Sequence, residues 1–226
     1  ESYGGRPGEK AVGMVARLEE VKDHETFLLA AQNVLEHRKD VRFYIVGDGS
    51  LREELERRVL ELGISEWVTF TGFVKDVEKI EAALDIAVIT SKAEALCLSI
   101  IESNIAGVPA VGTDSGGVAE VIKDGETGYL VPVGDADALA ARIEDLLADE
   151  GKRKAFGEAA KTVLPPGAFN DSLNVKFRRT VELALSADEL SALLSAKGRA
   201  GIRSEGQRTV IRYLSEIDTA DYELVR

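Results

Sequence analysis

From residue 11 to about 163, short apolar runs rich in β-branched residues alternate with stretches whose apolar positions recur every three or four residues. Residues 11–16 (AVGMVA) are apolar throughout, as expected of a strand covered on both faces. Phe27, Leu28, Ala31 and Leu35 follow at helical spacing. Residues 41–47 (VRFYIVG) predict a second strand, and Leu51, Leu55, Val59 and Leu62 a second helix. A third strand is expected at 67–72, a short helix near 76–84, a fourth strand at 86–90, a helix near 98–106 and a fifth strand at 109–113. A short sixth strand at 128–132 precedes a helix marked by Leu139, Ile143, Leu146 and Leu147. Strands alternating with helices of this length imply an α/β fold with a doubly wound, mostly parallel, Rossmann-like sheet.

The alternation stops at residues 163–171 (VLPPGAFND), where Pro165, Pro166 and Gly167 end a helix. The division expected is a domain at 1–164 and a helical tail or appendage at 165–226, with no strand in the tail. Helical stripes there run through Phe177, Val181, Ala184 and Leu185, and through Val210, Ile211, Leu214 and Ile217. Ser186 and Glu189 have capping-box spacing. Arg199, Arg203, Arg208 and Arg212 read as a solvated helical face. The tail holds nine basic and nine acidic side chains of the chain's 28 and 40, so the acidic excess lies in the first domain.

That excess, a net charge of −12, argues against nonspecific nucleic-acid binding, though a local cation patch could still hold a phosphate. The single cysteine, Cys97, excludes an internal disulfide and suits the reducing cytoplasm. No apolar stretch approaches a membrane span, and the N-terminus has no signal-peptide pattern. The chain begins at Glu1, not methionine, which suits a piece of a longer protein.

In an open parallel sheet, ligands bind beyond the carboxyl ends of the strands. Those ends carry Arg17 and Lys22 after the first strand, Gly47 and Gly49 after the second, and Phe73, Val74 and Lys75 after the third. Residues 91–99 (SKAEALCLS) follow the fourth and residues 113–120 (TDSGGVAE) the fifth. The helix expected to start near Leu98 would turn its unpaired N–H groups toward an anion. Backbone N–H groups of Leu96, Cys97, Leu98 and Ser99 are the candidates. Glu94 and Glu102 flank that position eight residues apart, and would accept from neutral hydroxyls on either side of the anion. A phosphate with sugar hydroxyls on both sides describes a sugar nucleotide.

These residues resemble the retaining GT-B glycosyltransferases, in particular the large family of bacterial mannosyl- and glucosyltransferases with an E-x7-E motif. The similarity runs from residue 11 to about 163 and is to the C-terminal, sugar-nucleotide-binding domain. "VARLEEVK" resembles the family's G-R-L-x-x-x-K, "EALCLSIIE" its E-G-F-G-L-P-L-L-E, and "TDSGGVAEVIKDGETGYLVPVGD" matches nearly throughout. The resemblance implies that Arg17 and Lys22 hold the diphosphate, that Phe73, Val74 and Lys75 meet the base, and that Glu102 holds the ribose. It also implies that Glu94 contacts the sugar, with Ala95, Leu96, Cys97, Leu98, Gly116 and Gly117 lining the site. Catalytic roles would fall to Glu94, Arg17 and Lys22. The expected substrate is a UDP- or GDP-hexose, with no cofactor and no metal.

The departures are specific. Ala95 and Cys97 stand where the family has glycines, and Ser103-Asn104 interrupts a helix face that is usually apolar. The family's N-terminal acceptor domain is absent, and neither His24 nor His37, both on the first helix, replaces the histidine it supplies. The acceptor is then an undefined glycan, lipid or small molecule, the chain alone is expected to be inactive, and peripheral membrane association would come only through the absent domain. Plainer readings stand beside these. Arg17 and Lys22 as surface cations, Glu94 and Glu102 as solvated carboxylates, Gly116 and Gly117 as turn glycines, and Cys97 as a packing residue all remain open. Asp135 and Asp137 read as a helix start, not a metal pair. A non-catalytic nucleotide- or sugar-binding module and a GT-B-related epimerase are the alternative functions.

Overall fold

The computed structural model describes residues 8–163, 200–205 and 208–213. Six strands, β1 (Lys10–Val15), β2 (Val41–Val46), β3 (Val68–Gly72), β4 (Ile86–Ile89), β5 (Ala110–Thr113) and β6 (Gly128–Val131), form one sheet in the order β3-β2-β1-β4-β5-β6. Every pairing in it is parallel. The helices between them are α1 (His24–His37), α2 (Arg52–Glu61), α3 (Val77–Glu81), α4 (Leu98–Ala106) and α5 (Val118–Val121), with α6 (Ala136–Ala148) and α7 (Glu150–Ala160) after β6. Right-handed crossovers that run outward from β1 to β3 and then back through β4 to β6 place α1 and α2 on one face and α3, α4 and α5 on the other. In keeping with this, α6 packs on α1, whereas α3, α5 and α7 pack on α4.

Burial explains the strand compositions. All four residues of both β4 and β5 are buried, so these strands have no polar face to alternate. The core beside α1 is built on Phe27 and Phe43, edge-to-face at 5.9 Å and 74°. Met14, Ile45, Leu139 and Ile143 are fully buried as well.

Two helices carry no clear periodic signal in the sequence. The four residues of α5 are too few for one, and α7 (EGKRKAFGEAA) has almost no apolar stripe. Instead α7 starts on Asp149, whose Oδ1 accepts from Lys152 N–H at 2.9 Å. The buried Arg153 donates to the Leu146 carbonyl at 2.7 Å, satisfying the end of α6.

The chain divides into two compact units, Glu1–Val163 and Leu164–Arg226. In the second, β7 (Ala200–Glu205) and β8 (Arg208–Tyr213) pair antiparallel, with Ile202 opposite Ile211. This corrects the helical reading of Val210 and Ile211, and of the arginine face at Arg203, Arg208 and Arg212. Thr209, Val210 and Ile211 are consecutive β-branched residues followed closely by Tyr213, and such residues favour extended chain over helix. The remaining tail expectations, at Phe177, Val181, Ala184, Leu185, Ser186, Glu189, Arg199, Leu214 and Ile217, lie outside the described residues.

At Gly157, α7 touches the turn after α4: a Cβ there would lie 2.0 Å from the Gly107 carbonyl oxygen. Propensity alone would favour alanine in a helix by about 1 kcal/mol. Gly157→Ala is nevertheless expected to destabilise by about 1–3 kcal/mol through overpacking. Urea unfolding checks the sign, and an unchanged or raised midpoint would rule out the close contact.

Candidate functional site

The strand order reverses between β1 and β4, so the chain leaves these neighbours toward opposite faces and a crevice opens between the two loops. Lys22 ends a 3₁₀ turn (Glu20–Lys22) after β1, and Asp23 then adopts left-handed geometry (φ 52°, ψ 52°) to enter α1. This turn is tied to the end of β4. Thr90 Oγ1 lies 2.9 Å from the Lys22 carbonyl oxygen and 2.8 Å from that of Asp23, and its one proton is shared between them. Lys92 N–H donates to the Val21 carbonyl at 2.8 Å.

Across the crevice, Lys22 Nζ donates to Glu94 Oε2 at 2.5 Å, with the two side chains only 19% and 12% exposed. Ser91 Oγ donates to the same oxygen at 3.1 Å. The Ser91 carbonyl accepts from both Thr113 Oγ1 and Ser115 Oγ, each at 2.8 Å, which locks the end of β4 to the end of β5. Thr90, Ser91, Thr113 and Ser115 are all buried. Sequence reasoning missed these hydroxyls; the available signal was small hydroxyl residues closing two adjacent apolar strands.

The glycine pair in the β5–α5 turn has a definite steric role. Gly116 has φ +50°, and a Cβ on it would lie 2.3 Å from the Glu94 carbonyl oxygen; one on Gly117 would lie 2.5 Å from that of Ala95. Gly117 N–H donates to the Glu94 carbonyl at 2.7 Å. The two turns are thus in backbone contact, which only glycine allows here. The ends of β1, β2 and β3 are joined similarly. Gly47 N–H donates to the Gly72 carbonyl at 3.0 Å, Leu18 N–H donates to the Asp48 carbonyl at 3.0 Å, and Gly49 lies against Leu18.

Cys97 is the N-cap residue of α4 but makes no side-chain cap to it, and it is 2% exposed. Its sulfur lies 3.9 Å from Ser99 Oγ instead. Of the N–H groups expected to face an anion, that of Leu98 turns back on the Leu96 carbonyl at 3.2 Å. Ala95 and Leu98 are exposed and Leu96 is half-buried. Glu102 lies half-buried one turn into α4. Asn104, unexplained from the sequence, donates to the Val121 carbonyl at 2.9 Å and so bonds α4 to the end of α5.

The other candidates make contacts of their own. The Arg17 side chain is 75% exposed and lies 3.0 Å from Glu19. Phe73 (82% exposed), Val74 and Lys75 border a cavity of about 690 Å³ that runs under α3 to Ala11 and Tyr44. Arg17, Lys22, Glu94 and Glu102 do not line it. Asp135 accepts from Ala138 N–H at 2.9 Å as the N-cap of α6, and Asp137 accepts from Asn33 at 2.7 Å. Among the described residues no three metal-ligating side chains cluster, and no helix is long and apolar enough to cross a membrane.

A six-stranded parallel sheet with this reversal and helices on both faces is the Rossmann-like architecture found in GT-B glycosyltransferases. Residues 1–163 match the family described as "Glycosyl transferases group 1", and the chain belongs to that family. It is 32% identical over 161 residues to N-acetyl-alpha-D-glucosaminyl L-malate synthase of Bacillus anthracis, a match covering 71% of this chain and 42% of that protein. The C-terminal domain of LpcC, a glycosyl transferase group 1 family protein from Francisella tularensis, superposes with a TM-score of 0.65 at 26% identity, covering 71% of this chain and 86% of that one. Anabaena HepE in complex with UDP and glucose superposes with a TM-score of 0.65 at 26% identity, covering 69% of this chain and 43% of that one. The chain spans less than half the length of the curated relatives it matches.

Two titrating groups give tests. Burial pushes the Cys97 thiol up to about 11. It should therefore resist alkylation at pH 8 in the folded protein and react once urea unfolds it; rapid labelling of the native protein would contradict its burial. His24 is buried with neither ring nitrogen hydrogen-bonded, and burial lowers its pKa from 6.5 to about 4. Between those values the unfolded chain holds a proton that the folded chain lacks, so stability falls as pH drops through that window. The slope is at most about 1.4 kcal/mol per pH unit. In urea unfolding at pH 7 and pH 5, His24→Met should lose less stability than the parent; equal losses would remove His24 as a cause.

Proposed function

We propose that residues 8–163 bind the nucleotide sugar in a retaining hexosyltransferase, with UDP- or GDP-hexose as substrate and an acceptor bound by a further domain. The observation that carries this reading is the Lys22–Glu94 pair at the strand-order reversal, on two loops that the rest of the fold holds rigidly. A lysine there can serve a diphosphate, and a glutamate beside it can serve the hydroxyls of the attached sugar. The UDP and glucose bound by HepE support a nucleotide sugar as the class of ligand.

In the proposed reaction, the bond from the anomeric carbon to the phosphate oxygen breaks as the acceptor oxygen bonds to that carbon on the same face. The acceptor's proton passes to the departing phosphate oxygen. The protein's contribution is electrostatic: Lys22, Arg17 and the start of α4 stabilise the charge gathering on the diphosphate. Lys22 then divides its charge between Glu94 and the phosphate, which keeps the carboxylate partnered while the sugar is bound. The cations also take over the role a metal would fill, so none is required.

A thermal-shift screen against UDP, GDP, ADP and their sugars tests the reading, because a ligand that binds only the folded state raises the unfolding temperature. A shift with one nucleotide would name the base, and no shift with any would overturn the reading. Charge-assisted hydrogen bonds contribute about 1.5–3 kcal/mol, so Lys22→Ala and Arg17→Ala should each weaken nucleotide binding by about tenfold or more. Unchanged affinity in calorimetry would remove that residue from the site. Nucleotide-sugar binding without transfer, after the acceptor domain is supplied, would make the chain a binding module.

A further inference from the structure

Glu94 holds its two carboxylate oxygens in different circumstances. Oε2 accepts from Lys22 Nζ at 2.5 Å and from Ser91 Oγ at 3.1 Å. Among the described residues no side-chain donor reaches Oε1. A carboxylate held by one flexible lysine can rotate and exchange its oxygens, because an ammonium on a four-carbon stem follows it. A second donor on a short, buried side chain removes that freedom.

Ser91 is well suited to be that donor. It is 0% exposed, and its backbone is tied to the end of β5, since its own carbonyl takes both the Thr113 and the Ser115 hydroxyl at 2.8 Å. The next turn is fixed as well, by Gly117 N–H on the Glu94 carbonyl at 2.7 Å. Ser91 thus joins the hydrogen-bonded ends of β4 and β5 to the side chain with the most specific task.

We infer that Ser91 is a positioning residue for sugar recognition: by holding Glu94 Oε2 together with Lys22, it commits Oε1 to accept from a hydroxyl of the bound hexose. The inference rests on the reading above and adds to it a residue that touches neither nucleotide nor sugar. Lys22 faces the diphosphate as well as Glu94, so losing it affects nucleotide and sugar together. Losing Ser91 affects the sugar alone.

The test is calorimetry with UDP, UDP-glucose, GDP and GDP-mannose on the full chain, its Ser91→Ala and Glu94→Ala variants and the double variant. The quantity read is the ratio of sugar-nucleotide to nucleotide affinity. Ser91→Ala should leave nucleotide affinity within about twofold and lower that ratio by about fivefold to tenfold, the range of one hydrogen bond. In the Glu94→Ala background the same change should have no further effect on the ratio, because Ser91 acts through Glu94. A purely structural role would weaken nucleotide and sugar nucleotide together and persist without Glu94. Should Ser91→Ala not fold, Ser91→Cys, of similar size but a weak donor, should show a smaller loss of the same kind. A ratio unchanged by Ser91→Ala, or equal nucleotide and sugar-nucleotide affinity in the parent chain, overturns the inference. Failure of all four ligands to bind the parent chain overturns the functional reading itself.

Discussion

Lys22 and Glu94 are 72 residues apart in the chain and meet because β1 and β4 are hydrogen-bonded neighbours whose loops part toward opposite faces. A parallel sheet that continued in one direction would cover both loops with successive crossovers. Reversal leaves a gap that no connection spans, and the residues lining it must be held from below. Here they are held by the strand ends themselves. Thr90 fixes the backbone beneath Lys22, and Ser91 fixes the carboxylate of Glu94. One dipeptide at the end of a buried strand therefore supports both members of the pair.

The same economy explains the glycine-rich turns. Gly116 and Gly117 let the β5–α5 turn lie directly on the backbone of Glu94 and Ala95, and Gly49 brings the β2 turn against Leu18. Packing turns at backbone distance places N–H groups and carbonyls where side chains would otherwise stand. The edge of the sheet becomes a continuous hydrogen-bonded surface, rigid enough to hold a partly buried ion pair whose geometry decides whether it is favourable.

Two departures from the family pattern find physical accounts. Cys97 occupies a glycine position with its side chain buried and its sulfur beside Ser99 Oγ, so the substitution fills space below the turn and does not project from it. Asn104 breaks an apolar helix face because it supplies a donor to the last carbonyl of α5, that of Val121, in a helix too short to satisfy it itself. Neither role can be read from spacing, since each partner lies on another element.

The parallel sheet, its six strands and most of its helices were legible in the sequence because burial on both faces forces continuous apolar runs, and amphipathic helices repeat their apolar positions. The placement of Lys22 and Glu94 beyond the ends of β1 and β4 was legible as well, since it follows from where those strands end. What the tertiary structure alone decided was contact: that these two side chains pair, that Ser91 shares the carboxylate, and that the glycines are held by neighbouring carbonyls. It also decided the pairing of β7 and β8, where a four-residue helical spacing was outweighed by extended-chain preferences and an antiparallel partner. Periodicity records which face of an element is buried, and one chain pattern is compatible with many neighbours. Hydrogen bonds between elements depend on which strands adjoin and in what register, and that is set only when the chain has folded.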